Sequence, residues 1–208
     1  MKILICDDHK IVREGLRQIL QQLKGVTSIE EAADGNEAFF LLKKEVFDIV
    51  LLDISLPGRS GLEILQSVKS KWPSTNVLML SMHPQEQYAM RALSLGASGY
   101  LTKDTASEEL LIAVKRVSEC EKYISHSLAE SIAFHKERNT SRHKHETLSA
   151  REFDIMIKLA DGKSLQEISN DLCISDKTVS TYRSRIMEKM EFSKNTELTR
   201  YCIENSLI

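Results

Sequence analysis

FDIVLLDISLPGRSG, residues 47–61, decides the fold of the first half of this chain. Phe47, Ile49, Val50, Leu51 and Leu52 form an almost unbroken apolar run that stops at one carboxylate, Asp53. Such a run, rich in branched side chains, suits a strand covered on both faces, as in a parallel sheet. Pro57-Gly58 is turn chemistry, and Gly61 precedes a helical pattern of Leu62, Ile64, Leu65 and Val68. Asp53 is therefore expected at the carboxyl end of a central strand, where open α/β sheets bind ligands. Taken alone, a carboxylate there is most simply a turn cap. The polar residues around it in this half change that weighing.

Outward from this stretch the same alternation repeats. KILIC, residues 2–6, ends at Asp7-Asp8 and is followed by an amphipathic helix with Ile11, Val12, Leu16, Ile19, Leu20 and Leu23 on one side. Residues 27–33 make a weaker strand. Asp34-Gly35-Asn36-Glu37 resembles a capping-box start for the next helix. NVLMLS ends at Ser81, Pro84 suits the first turn of a helix to about Leu95, and GYLT ends near Lys103. A last helix spans about 106–118, with Leu110, Leu111, Val114 and Val117 inward. Five strand–helix repeats predict a doubly wound, five-stranded parallel sheet with helices on both faces.

In a parallel sheet the strand ends share one edge. Asp7, Asp8, Asp53, Ser81 and Lys103 then meet in one crevice. Separately, each has an ordinary role: Asp8 or Ser81 as a helix cap, Lys103 as a solvated lysine, Tyr100 as packing. No cap or turn needs the whole set. Clustered carboxylates repel unless a cation sits among them, and Mg²⁺ suits oxygen ligands of this kind. Asp53 is then placed as a nucleophile toward phosphorus, with Lys103 and Ser81 to hold phosphoryl oxygens. His9 and His83 read as surface or loop residues, because no second His or Cys stands at ligand spacing.

These residues resemble the receiver domain of two-component response regulators, over residues 1 to about 120. The motifs are Asp7-Asp8, Asp53 before LPGRSG, Ser81 after the fourth strand, Tyr100, and Lys103 in GYLTKD. The resemblance implies a flavodoxin-like fold in which Asp53 accepts a phosphoryl group from a sensor histidine kinase. It implies Mg²⁺ on Asp8, Asp53 and the backbone carbonyl of Ser55, with Asp7 acting mainly through water. It also implies Ser81 and Tyr100 as a coupled switch pair, and only self-phosphorylation and slow self-dephosphorylation as catalysis. An Asp-nucleophile phosphatase would need an acid placed to protonate leaving groups. Ile54-Ser55 after Asp53 offers none.

The chain has 208 residues and a net charge of -2, so bulk basicity announces no nucleic acid. Cys6, Cys120, Cys173 and Cys202 fit no zinc or redox spacing and suggest buried thiols in a reducing compartment. Neither a signal peptide nor a membrane-length apolar run is visible, which points to the cytoplasm and no membrane partner. Residues 121–146 read as a connector, with a short helix over Tyr123 to Phe134 and a flexible polar tether, HKERNTSRHKHE, over 135–146.

Residues 147–208 carry helix starts and no strand signals. Ser149 with Glu152 and Ser164 with Glu167 are capping boxes. Ser175 caps a third helix, Ser193 or Asn195 a fourth, and Gly162 closes the first. A small all-α core of Phe153, Ile157, Leu159, Leu165, Ile168, Leu172, Ile174, Val179, Ile186 and Met190 is expected. The second and third helices, joined at Cys173-Ile174, have the spacing of a helix-turn-helix. Lys177, Thr178, Ser180, Thr181, Arg183 and Arg185 are the candidate groups for phosphates and base edges. An αα-hairpin that binds protein or RNA is the alternative reading.

From Leu148 onward the sequence resembles the four-helix LuxR-type DNA-binding domain of NarL/FixJ-class response regulators. It differs from many members at Ser180, where Lys is common, and at Tyr182, where His is common. The two resemblances together imply a transcription factor whose phosphorylation controls double-stranded DNA binding, as a homodimer on an inverted repeat.

Overall fold

A computed structural model describes the chain apart from residues 83–85, 126–127, 131, 133–142 and 206, and apart from the side chains of Glu86, Gln87 and Ser107. The chain divides into two compact units, Met1–Ile132 and Ala133–Ile208.

The first unit follows the predicted alternation: β1 (Lys2–Cys6), α1 (Lys10–Leu20), β2 (Ser28–Ala32), α2 (Gly35–Lys44), β3 (Ile49–Asp53), α3 (Gly61–Lys71), β4 (Asn76–Ser81), α4 (Glu86–Ser94), β5 (Gly99–Thr102) and α5 (Ala106–Ser118). Every pairing is parallel, in the order β2-β1-β3-β4-β5. Strands β1, β3 and β4 are apolar because both sheet faces are covered, so their side chains are buried almost without exception. Alternate residues Ile3, Ile5, Ile49, Leu51, Leu78, Leu80 and Leu101 pack with Leu16 and Leu20 of α1 and Leu110, Val114 and Val117 of α5. The chain runs outward in opposite directions from β1 and β3. Their carboxyl ends are thus the switch point where such sheets open a crevice.

One strand was not expected. Tyr123–Ile124, predicted to begin a connector helix, forms β6 and extends the sheet to six strands beside β5. Gly99 makes this possible, since a Cβ there would lie 2.5 Å from the Tyr123 carbonyl oxygen. Burying the Tyr123 ring in the core, with its hydroxyl donating to Glu109 Oε2 at 3.1 Å, outweighs the weak local helix signal. Residues 128–130 are helical, and the remainder of the expected connector helix lies largely outside the described residues, as do His83 and Pro84.

Among its described residues the second unit has four α-helices: α6 (Ala150–Ala160), α7 (Leu165–Asp171), α8 (Asp176–Met190) and α9 (Asn195–Glu204). Ser149 and Ser164 cap α6 and α7 with reciprocal bonds from Glu152 and Glu167, as the sequence predicts. Ser175 Oγ accepts the Thr178 N–H at the start of α8. At α9 the capping group is neither Ser193 nor Asn195. Glu197 reaches back and accepts from the N–H groups of Ser193 and Lys194. Phe153, Ile157, Leu159, Ile168, Leu172, Val179, Ile186 and Met190 are buried as expected, with Leu198 and Cys202 added from α9. Leu165 and Ile174 are only half-buried.

Two further expectations need correction. Cys6 and Cys202 are buried, but Cys120 and Cys173 are exposed, because both occupy left-handed turn positions at φ 64° and 50°. Residues 143–146 were expected in a free tether, of which 135–142 lie outside the described residues. Lys144–Thr147 instead forms a 3-10 turn in which His145 is buried beside Phe153 and Tyr201. Lys144 Nζ donates to Met190 O at 3.2 Å and Glu191 Oε2 at 2.6 Å. An ammonium at the carbonyl end of α8 is a favourable C-terminal partner, which holds this segment down.

The turn after Asp53 depends on close packing. A Cβ at Gly61 would lie 2.1 Å from the Asp53 carbonyl oxygen and 2.8 Å from Ile54 Cα, both backbone atoms. Gly61→Ala is therefore expected to lower stability by about 1–3 kcal/mol. Gly15→Ala, in α1 with nothing within 4 Å, is expected to raise it by about 0.5–1 kcal/mol. Urea unfolding of both variants checks the pair.

Candidate functional site

Register builds the first site. Cys6 pairs with Leu52 across β1 and β3, so the next residues, Asp7 and Asp53, leave adjacent strand ends at one level. Ser81 pairs with Thr102 across β4 and β5, and the Lys103 N–H donates to Ser81 O at 2.7 Å. The edge therefore brings Asp7, Asp53, Ser81 and Lys103 together as the strand pattern predicts. Asp7, Asp53, Ser81 and Tyr100 are all buried, while Asp8 is about a third exposed.

Lys103 Nζ sits 2.6 Å from Asp7 Oδ2 and 2.7 Å from Asp53 Oδ2. The chain thus supplies a cation among its own carboxylates. Asp53 Oδ1 also accepts the Ser55 N–H at 3.2 Å. Burial pushes the Asp53 carboxyl above its ordinary range, and the charge of Asp7 adds to this; Lys103 and the Ser55 N–H act against it. Burial works against the Lys103 charge, but its bonds and charge pairing with Asp53 and Asp7 outweigh burial and hold the ammonium above its usual range.

Carboxylate oxygens of Asp7, Asp8 and Asp53 and a ring nitrogen of His9 lie within 4.8 Å of one another. Three carboxylates against one ammonium leave two negative charges, a donor set that fits a hard divalent cation. His9 is on the surface, as expected, but its ring joins the cluster, with Nδ1 2.7 Å from Asp8 Oδ1 and 3.3 Å from Asp7 Oδ1. Spacing rules for His ligands could not show this, since the contact comes from the turn after β1.

Tyr100 is fully buried, and its phenol hydrogen-bonds the Ser81 side chain. Burial pushes it up to about 12, with the Asp53 charge adding and the Ser81 bond opposing. The ring occupies the interior of the domain.

The second candidate face lies on α8. Val179, Ile186, Met187 and Met190 are buried, which turns Lys177, Ser180, Thr181 and Arg185 to solvent. Thr178 is half-buried, its hydroxyl 2.8 Å from Ser175 Oγ. Arg183 is also half-buried, its Nε donating to Asn195 Oδ1 at 2.9 Å. These two brace the helix start and the α8–α9 junction. A depression of about 310 Å³ at the amino end is lined by Ser175, Lys177, Thr178, Thr181, Tyr182 and Arg185.

The fold is a parallel sheet with an acidic strand edge followed by a helix-turn-helix, and comparison with known proteins places it. The description "Response regulator receiver domain" matches residues 3–115, and "Bacterial regulatory proteins, luxR family" matches residues 146–202. Response regulator UvrY of Escherichia coli strain K12 is 33% identical over 208 residues, covering 100% of this chain and 95% of that protein. A structure of RcsB from Salmonella enterica serovar Typhimurium, bound to promoter rprA with the phosphomimetic BeF3⁻, is similar with a TM-score of 0.64 and 25% identity. It covers 100% of both chains. A structure of two RcsB dimers on two parallel DNAs gives 0.62 and 25%, over 97% of each chain. The chain belongs to the response regulators of the NarL/FixJ class, with a receiver domain followed by a LuxR-type DNA-binding domain.

Lys103 stabilises the fold as long as it is charged. Because its pKa is raised, that contribution is complete below the ordinary lysine value of about 10.4 and is lost as pH rises through the raised value. Lys103→Met is expected to cost about 3 kcal/mol at pH 7, by leaving two buried carboxylates without their partner. The gap from wild type should narrow as pH rises through that raised value and the ammonium loses its proton. Urea unfolding across the alkaline range measures it.

Proposed function

We propose that this response regulator is switched by phosphorylation of Asp53, and that the switch controls double-stranded DNA binding through α8. The observation that carries the reading is Lys103 held between Asp7 and Asp53 at the switch point of the sheet. An Asp53 carboxylate oxygen attacks phosphorus as the P–N bond to a sensor kinase histidine breaks. The electron pair leaves with the imidazole, and the product is an acyl phosphate. Asp8, Asp53 and the Ser55 carbonyl would hold Mg²⁺, with Asp7 acting mainly through water, and the ion would supply neutralisation of phosphoryl charge. Lys103 then exchanges one carboxylate partner for a phosphoryl oxygen. No acid stands two residues after Asp53, so rapid turnover of phosphate esters is not part of this reading.

The new charge, about -2, offers acceptors to the Ser81 hydroxyl. Engaging them takes Ser81 from its bond with Tyr100, which biases the surface carried by β4, β5 and their helices. β6 pairs with the strand that holds Tyr100, and connects this event to the chain leading out of the receiver. On this reading β6 belongs to the receiver and the turn at Lys144–Thr147 to the DNA-binding domain. The active form is a homodimer on an inverted repeat, working in the cytoplasm. No helix among the described residues is long and apolar enough to cross a membrane.

Incubation with acetyl phosphate and Mg²⁺ should add one phosphoryl mass to the wild-type chain and none to Asp53→Asn. Equal labelling of both would reject Asp53 as acceptor. On the DNA side, Lys177→Ala and Arg185→Ala should each weaken binding and, where the residue contacts a phosphate, reduce the salt slope by about 1. Arg183→Ala should also lower the stability of the isolated helical domain, because it removes the Asn195 bond. Fluorescence anisotropy against salt concentration, with thermal unfolding, separates these effects.

A further inference from the structure

Asp7 and Asp8 sit on the turn between β1 and α1, and turns of this kind have no ladder to hold their carbonyls. Here the Asp7 main chain is held on both sides. Its N–H donates to Ala32 O of β2 at 3.1 Å. Its carbonyl accepts from Arg13 Nη1 at 2.7 Å. The same guanidinium is gripped from behind by β2, since Arg13 Nε donates to Glu31 Oε2 at 3.1 Å. The other Glu31 oxygen accepts from Arg17 Nε at 2.5 Å, one helical turn along α1. Arg13 is largely buried, its side chain 13% exposed. Burial works against the Glu31 charge, but the bonds from Arg17 and Arg13 outweigh it and hold the carboxyl below its usual range.

A planar fork with two acceptors at a fixed angle orients more than a point charge would. The peptide that Arg13 grips joins Asp7 to Asp8, so its orientation sets where both carboxylates point. We propose that Arg13, oriented by Glu31, is a positioning residue for the acidic pocket. It fixes the Asp7–Asp8 peptide so that both carboxylates are presented to a divalent cation before it arrives. This inference rests on the reading of that pocket as a Mg²⁺ site. It assigns a role to two residues that touch neither phosphorus nor metal.

The alternative is a plain brace between α1 and β2. A third reading is a purely electrostatic role, and the three differ in what they predict for cation affinity. If the guanidinium acted only through its charge, removing it would tighten cation binding at a negative pocket. If it were only a brace, removal would lower stability and leave the affinity of the folded chain unchanged. Positioning predicts weaker binding, because outer partners of metal ligands typically contribute about 10–100-fold in affinity.

The test is calorimetric titration of the full chain with Mg²⁺ near neutral pH, alongside urea unfolding without Mg²⁺. Arg13→Ala, Arg13→Lys and the near-isosteric Glu31→Gln are compared with wild type. Arg13→Lys keeps the charge and loses the fork. The expected result is a Kd raised about tenfold or more in Arg13→Ala and Arg13→Lys, and raised less in Glu31→Gln. Should Arg13→Ala fail to fold, the other two variants decide. A Kd equal to or tighter than wild type in the folded variants overturns the inference while sparing the pocket. No Mg²⁺ binding by the wild-type chain overturns the metal reading and this inference with it.

Discussion

One ammonium between two buried carboxylates holds the receiver's working edge together. Lys103 comes from the end of β5, Asp53 from β3 and Asp7 from β1, so their meeting requires three strands in one register. Packing alone would not choose this arrangement. Burying the carboxylates near one another is unfavourable, and the raised Asp53 pKa reports that cost. The ammonium offsets it only in part: with Asp8 counted as the third carboxylate of the pocket, two negative charges remain. That residual negative charge is the feature on which the proposed Mg²⁺ site rests.

Much of the first unit was legible because its signals are local and repeat. Apolar runs ending in polar residues mark the strands, and parallel topology brings those ends to one edge. The geometry added what depends on partners far along the chain. β6 needed Gly99 to leave room for the Tyr123 backbone, 24 residues later. The hold of Arg13, in α1, on the Asp7 carbonyl needed Glu31 of β2 to orient its guanidinium. His9 had no ligand spacing to mark it, and joins the acids only because the turn folds back. Tyr100 was read as a switch partner, but its buried position beside Ser81 is a tertiary fact.

In the second unit the caps at Ser149, Ser164 and Ser175 were readable, since each is a short-range bond between neighbours. The fourth cap was not, because Glu197 serves two backbone donors where a Ser or Asn was the obvious candidate. The polar segment before this unit looked like a tether by composition. Its last residues are structural because Lys144 meets the end of α8 and His145 meets Tyr201. Six residues of α8 were singled out for DNA. Four face solvent, and Thr178 and Arg183 also secure the helix itself.

The central claim is that charge placed on Asp53 is felt by α8. It is tested most directly by titrating the full-length chain against duplex promoter DNA at fixed salt, with and without BeF3⁻ and Mg²⁺, in wild type and Asp53→Asn. The account predicts that the phosphoryl mimic tightens wild-type binding by about 5–150-fold and leaves Asp53→Asn unchanged. Equal affinity with and without the mimic in wild type, or equal tightening in both proteins, would contradict it.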